Sequence, residues 1–121
     1  TAAFQPGPTM AIYYASKAFV LSFSEAINNE VRSKGITVTV LCPGPTESGF
    51  FDAAEMRESF LVKKFKSATS KQVAEYGYAS MIQGKTVAIH GFLNYVMANS
   101  VRFTPRSLVV KIARRLQGKV R

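Results

Sequence analysis

The sequence predicts a helix-rich α/β chain with parallel strands. Two short β-branched runs, residues 36–41 and 85–91, alternate with three segments of helical periodicity. The order helix–strand–helix–strand–helix is what crossover connections between parallel strands produce. An apolar fraction of 47% places the chain among those that bury a core rather than among disordered ones.

Taken in order, residues 1–9 read as a loop, broken by Pro6, Gly7 and Pro8, with Thr9 placed to cap the first helix. That helix is predicted from about Met10 to Ser33. Ala15, Ala18, Phe19, Ala26 and Ile27 recur at spacings of three and four, and Phe23 and Val31 extend that stripe. Gly35 ends it. Residues 36–41 form a strand apolar enough to be buried on both faces, stopped by Pro43, Gly44 and Pro45. Residues 46–68 are less regular and hold one or two short helices. Ser70 is the expected cap of a helix that ends at Gly84, a strand follows over 85–91, and a further helix covers 92–101. Pro105 opens the last helix, which runs through about Gln117. Two strands are too few to stand alone. With the opening "TAAFQPGP", which carries no initiator Met, this predicts a piece of a larger sheet whose other half lies upstream.

Composition narrows the function. No stretch approaches the roughly 18–20 apolar residues of a membrane span. Cys42 is the only cysteine, so an internal disulfide is excluded, and an intracellular, cytoplasmic setting is the default. The formal charge is +9, of which the segment from Arg102 onward supplies +7 without a single acid. Within it, Leu108, Val109, Ile112, Ala113 and Leu116 make one stripe, while Lys111, Arg114 and Arg115 face away. Residues 102–121 thus read as a basic amphipathic C-terminal helix. Docking against its own protein is the favoured reading, and weak peripheral contact with a membrane surface is the runner-up. No aromatic–basic interleaving or recognition motif supports nucleic-acid binding.

The stretch "AIYYASKAFV" carries the chemistry. Tyr13 and Lys17 stand four apart, on one face of a helix, whereas Tyr14 has only Ala18 at that offset. An ammonium beside a phenol favours the phenolate and lowers its pKa from about 10 toward working pH. A tyrosine so tuned exchanges a proton with an alkoxide or alcohol, which is what carbonyl reduction requires. Spacing alone is weak, because a helical surface pair looks the same.

The context is more specific. "YYASKAFV" opening a long helix, a β-branched strand ending in "CPGPTESGF", and the preceding "AAFQPGPTM" resemble the classical short-chain dehydrogenase/reductases. The resemblance covers most of the chain and is strongest over residues 1–51. It implies that residues 1–121 are the C-terminal half of a single domain, the C-terminal part of a Rossmann-like doubly wound parallel sheet. It implies an NAD(P)-dependent oxidoreductase acting on a small carbonyl or alcohol substrate, and a homo-oligomer when complete. Tyr13 then corresponds to the catalytic acid/base and also contacts cofactor, and Lys17 lowers its pKa and binds the nicotinamide ribose. Pro43 and Gly44 form the turn beside the nicotinamide, Thr46 holds the carboxamide, and Ser48 keeps a hydroxyl where the family has a threonine. The family's catalytic serine would fall just before Thr1. The Gly-rich pyrophosphate turn and the relay asparagine are absent as well. The chain alone is therefore expected to be inactive, with a non-catalytic interaction module as the alternative reading. The choice of NAD or NADP rests on a residue the chain does not hold.

The remaining candidates read as structural. His90 has no Cys or acidic company, so no metal site is expected. Cys42 reads as a small buried residue. Phe50, Phe51, Phe60 and Leu61 fall where the family has a lid, which suits an apolar substrate, or else form a satellite core.

Overall fold

The computed structural model describes residues 2–47 and 67–117. A short 3-10 turn (Ala2–Phe4) leads into the long helix α1 (Ala11–Arg32). Then come β1 (Val40–Cys42), β2 (Thr46–Glu47), β3 (Ala68–Thr69), α2 (Ser70–Ile82), β4 (Val87–Ile89), α3 (Phe92–Ser100), a second 3-10 turn (Val101–Phe103) and α4 (Arg106–Leu116). β1 pairs with β4 in parallel, with Val40 opposite Val87 and Cys42 opposite Ile89. β2 pairs with β3 in parallel. The described residues are thus a mixed, helix-rich α/β unit with parallel strands, consistent with part of a Rossmann-like sheet.

Several ends fall where the sequence puts them. Gly35 and Gly84 close α1 and α2 in the left-handed conformation, at φ 75° and 67°. Others differ. Thr9 does not cap α1; it is itself left-handed at φ 72°, and Met10 occupies the cap position without a side-chain bond. The cap of α2 is Thr69, not Ser70. The Thr69 hydroxyl accepts from the Gln72 N–H, and the Gln72 side chain accepts from the Thr69 N–H. Ser70, one residue inside, donates to the Glu47 carbonyl at 2.9 Å and ties α2 to β2.

The strand predicted over 36–41 is shorter and shifted, because its first residues are bonded elsewhere. The Val38 N–H donates to Asn28 Oδ1 at 2.8 Å, and Thr39 Oγ1 donates to the Lys85 carbonyl. Nor is it evenly buried: Cys42 is buried, whereas Leu41, paired with the buried Ala88, is exposed. On α1 the buried row is Tyr14, Leu21 and Asn28. Phe19 and Phe23, which carry the predicted stripe, stand exposed on the other side, stacked on one another at 5.9 Å.

Asn28 fixes how α1 lies on the strands. It is only 4% exposed, and its Nδ2 donates to Thr86 Oγ1 at 2.9 Å while its Oδ1 takes the Val38 N–H. The C-terminal part of α1 is therefore held at the N-terminal ends of β1 and β4. The helix from Asn28 back to Tyr13 covers about 22 Å. The extended chain from Val38 to Cys42, where β1 ends, covers about 13 Å. With α1 packed along β1, the start of the helix reaches past the carboxyl end of β1.

Candidate active site

The carboxyl edge of a parallel sheet is where open α/β folds bind ligands, and the start of α1 brings Tyr13 and Lys17 toward it. The two tyrosines of that first turn are sorted by burial. Tyr14 is buried, its ring against Gly7, where no side chain could be accommodated without moving it. The Gly7 carbonyl accepts from the Met10 N–H and fixes the turn before the helix. Tyr13 is partly exposed and meets Tyr14 edge-on, with ring centroids 5.8 Å apart.

Lys17 is exposed, and its Nζ sits over the Tyr13 ring, 5.3 Å from the centroid, within range of a cation–π contact. The expected lowering of the Tyr13 pKa is not what the geometry gives. Burial pushes the phenol above its ordinary value, and the neighbouring Tyr14 adds to the shift. Desolvation of the oxygen is the larger cause, and a phenol raised above its ordinary value stays protonated at neutral pH.

At the end of β1, Pro43 and Gly44 form the turn, and Thr46 Oγ1 donates to the Gly44 carbonyl at 3.0 Å. Ser48, Phe50, Phe51, Phe60 and Leu61 lie outside the described residues. Cys42 is buried, and burial raises its thiol pKa, as suits a packing residue rather than a nucleophile. His90 lies edge-on to Tyr76, with centroids 5.2 Å apart, and the Tyr76 hydroxyl donates to the Ile89 carbonyl, tying α2 to the end of β4.

The short chain dehydrogenase family profile matches residues 1–59. Residues 1–59 are a short-chain dehydrogenase segment. The 17-beta-hydroxysteroid dehydrogenase type 3 of Mus musculus is 52% identical over 42 residues, 35% of this chain and 14% of that protein. An uncharacterized oxidoreductase of Escherichia coli, YghA, is 42% identical over 43 residues, 36% of this chain and 15% of that protein. The putative ketoacyl reductase of the monensin polyketide synthase from Streptomyces virginiae is 35% identical over 65 residues, 47% of this chain and 25% of that protein. The chain thus spans a quarter or less of these relatives' length. No solved structure matches it significantly.

One residue outside that segment, which the pattern did not single out, holds the turn after β1. The Asn94 amide occupies the space where a Gly44 side chain would be. Its Nδ2 donates to the His90 carbonyl at 2.9 Å, and Gly91, at φ 90°, admits it closely from the other side. Asn94 is thereby clamped between the turn after β1 and the turn after β4. The only sequence signal was a polar residue inside the apolar run "FLNYVMA". Gly44→Ala is expected to destabilise the chain by about 1–3 kcal/mol, since the methyl evicts the amide from its bond. Asn94→Ala in the same chain makes room, so the double variant should cost clearly less than the two single costs added. Urea unfolding of all four species measures this, and additivity would count against the clamp.

Proposed function

We propose that the chain forms the proton-handling half of an NAD(P)-dependent reductase of small carbonyl compounds, the C-terminal half of a single domain. Tyr13 is the acid/base, and Lys17, Pro43, Gly44, Thr46 and Ser48 line the nicotinamide end of the cofactor site. The observation that carries this reading is the juxtaposition of a half-buried phenol and an exposed ammonium at the head of α1, inside the segment that matches the family. The donor set fits the cofactor: an ammonium suits ribose hydroxyls, and a glycine turn with a threonine hydroxyl folded onto it leaves backbone groups for a carboxamide.

The nicotinamide, when bound, supplies the hydride. This chain's own residues manage the proton. As a carbonyl oxygen gains negative charge, Tyr13 donates its proton to it, and a phenol kept protonated by burial is ready for that step at neutral pH. Lys17 holds the ribose and stabilises the phenolate left behind. Tyr14 has no share in the chemistry; its ring anchors the loop that carries Gly7.

The relatives suggest the substrate class. One is named for a hydroxysteroid and one for a ketoacyl group, and an apolar ketone suits both. A homo-oligomer in the cytoplasm completes the reading, supported by the exposed apolar face of Ile12, Phe19 and Phe23 on α1.

Lys17→Met tests the assignment. In an assembled enzyme containing this chain, kcat is expected to fall together with cofactor affinity, because one ammonium serves both. Titration calorimetry with NAD(H) and NADP(H) is the measurement. Unchanged affinity for both cofactors would remove Lys17 from the ribose.

A further inference from the structure

The last helix presents two rows of apolar residues that face different ways, with Val110, 39% exposed, outside both. Val109 and Ala113 are buried, as is Gln117 just beyond the helix, so this row docks against the protein. Leu108 and Ile112, one helical turn apart, form the neighbouring row and remain 46% and 43% exposed. Lys111 and Arg115, also one turn apart, form the next row, and both are exposed. Each lies three positions after an exposed apolar residue, 108 to 111 and 112 to 115, which puts a basic row directly alongside the apolar one. Arg114 is exposed too. Phe103, in the turn leading into α4, is 89% exposed between Arg102 and Arg106. No acidic residue follows Glu75 anywhere in the sequence, so the segment itself carries no negative side chain to offset its positive charge.

The geometry points to a lipid-binding strip: Leu108 and Ile112, flanked by Lys111 and Arg115, rest on the headgroup layer of an anionic membrane while Val109 and Ala113 keep the helix fastened to its own protein. Docking and membrane contact, which look like rivals for one stripe in the sequence, use separate rows. Charge complementarity selects the occupant. An apolar row bordered by lysine and arginine matches a surface that is apolar beneath and negative on top, and the long basic side chains reach up to the headgroups while their stems lie on the acyl boundary. No helix among the described residues is long and apolar enough to cross a membrane, so the contact is peripheral. It is independent of the catalytic reading, since none of these residues belongs to the proposed active site.

Flotation of the purified chain with phosphatidylserine-containing vesicles at low salt tests it. Binding is expected to these vesicles and to be far weaker with pure phosphatidylcholine. Lys111→Gln with Arg115→Gln should lower the partition coefficient about thirtyfold, some fivefold for each basic residue. Leu108→Ser with Ile112→Ser should lower it about tenfold. Tyr78→Ser with Ile82→Ser, an exposed pair one turn apart on α2, is the control for general adhesiveness and should leave it unchanged. All three pairs are exposed, and circular dichroism should show their helicity retained. Equal binding to neutral vesicles, or loss only in the Tyr78 and Ile82 variant, would overturn the proposal. So would retention on duplex DNA that needs the basic pair but not Leu108 and Ile112, which would assign the strip to nucleic acid.

Discussion

Tyr13→Phe is expected to abolish turnover, while Tyr14→Phe leaves most of it. In the assembled enzyme the first substitution deletes only the phenolic oxygen. The ring that lies under Lys17 Nζ remains, so the cation keeps its place and cofactor affinity should change little. The loss belongs to kcat, because the proton is needed only as charge develops on the substrate oxygen. General acid–base catalysis is worth roughly 10²–10⁴-fold, so the residual rate should be at most about 1%. Tyr14→Phe likewise keeps the buried ring against Gly7, and its missing hydroxyl has no part in the proton path. Direction adds a second signature. Burial raises the Tyr13 phenol, so the acid form persists through neutral pH and falls away only as pH rises through that elevated pKa. Carbonyl reduction should therefore hold its rate across neutrality, while alcohol oxidation, which needs the phenolate, should climb with pH. Steady-state rates in both directions, for both variants, decide the matter. Comparable kcat losses from the two substitutions would reject Tyr13 as the acid.

Asn28→Ala should cost about 2–4 kcal/mol of stability. Asn28 is buried and spends both ends of its amide on different segments: Oδ1 on the Val38 N–H and Nδ2 on Thr86 Oγ1. Truncation leaves a part-buried backbone donor without its acceptor, which costs about 1–3 kcal/mol, and opens a cavity under the helix. Whole domains are stable by only about 5–15 kcal/mol, so this is a large share. Asn29→Ala, one residue along on the exposed side of the same helix, controls for helix propensity and should be neutral or slightly stabilising. Urea unfolding midpoints at unchanged slope give the comparison. A difference between the two variants below about 0.5 kcal/mol would mean the amide bridges do not hold the helix to the strands.

Both predictions bear on what the sequence made legible. The order of the four helices and of β1 and β4 was readable because it depends on local physics: glycines that readily adopt a left-handed backbone at 35 and 84, and a proline at 105 that opens a helix, whereas the two-residue strands β2 and β3 were not. Tyr13 and Lys17 were readable because helical spacing puts them together, and the turn at Pro43 and Gly44 because prolines interrupt a strand. The docked face of α1 was not, since two rows of that helix are apolar. Periodicity finds rows but does not say which one meets the protein, and Phe19 and Phe23 turned out to be on the wrong side. Asn28 and Asn94 were not readable either, because an amide that bonds groups distant in sequence leaves no periodic trace. The direction of the Tyr13 shift failed for a related reason. Spacing reports the nearby cation, but only the fold reports how much water the oxygen has lost.

The register that puts Val40 opposite Val87 also bears on how fast the chain folds. Those two residues cannot meet until everything between them has been drawn into a loop, at an entropic cost of about 3 kcal/mol that local contacts do not repay. The segments inside that loop form on their own schedule. The reciprocal Thr69 and Gln72 cap lets α2 nucleate early, within about a microsecond for helix formation in general. The parallel ladder is then expected to close last, with the rate-limiting barrier there. Substitutions at Val40 or Ala88 should slow folding, whereas changes along α4 should act on unfolding alone.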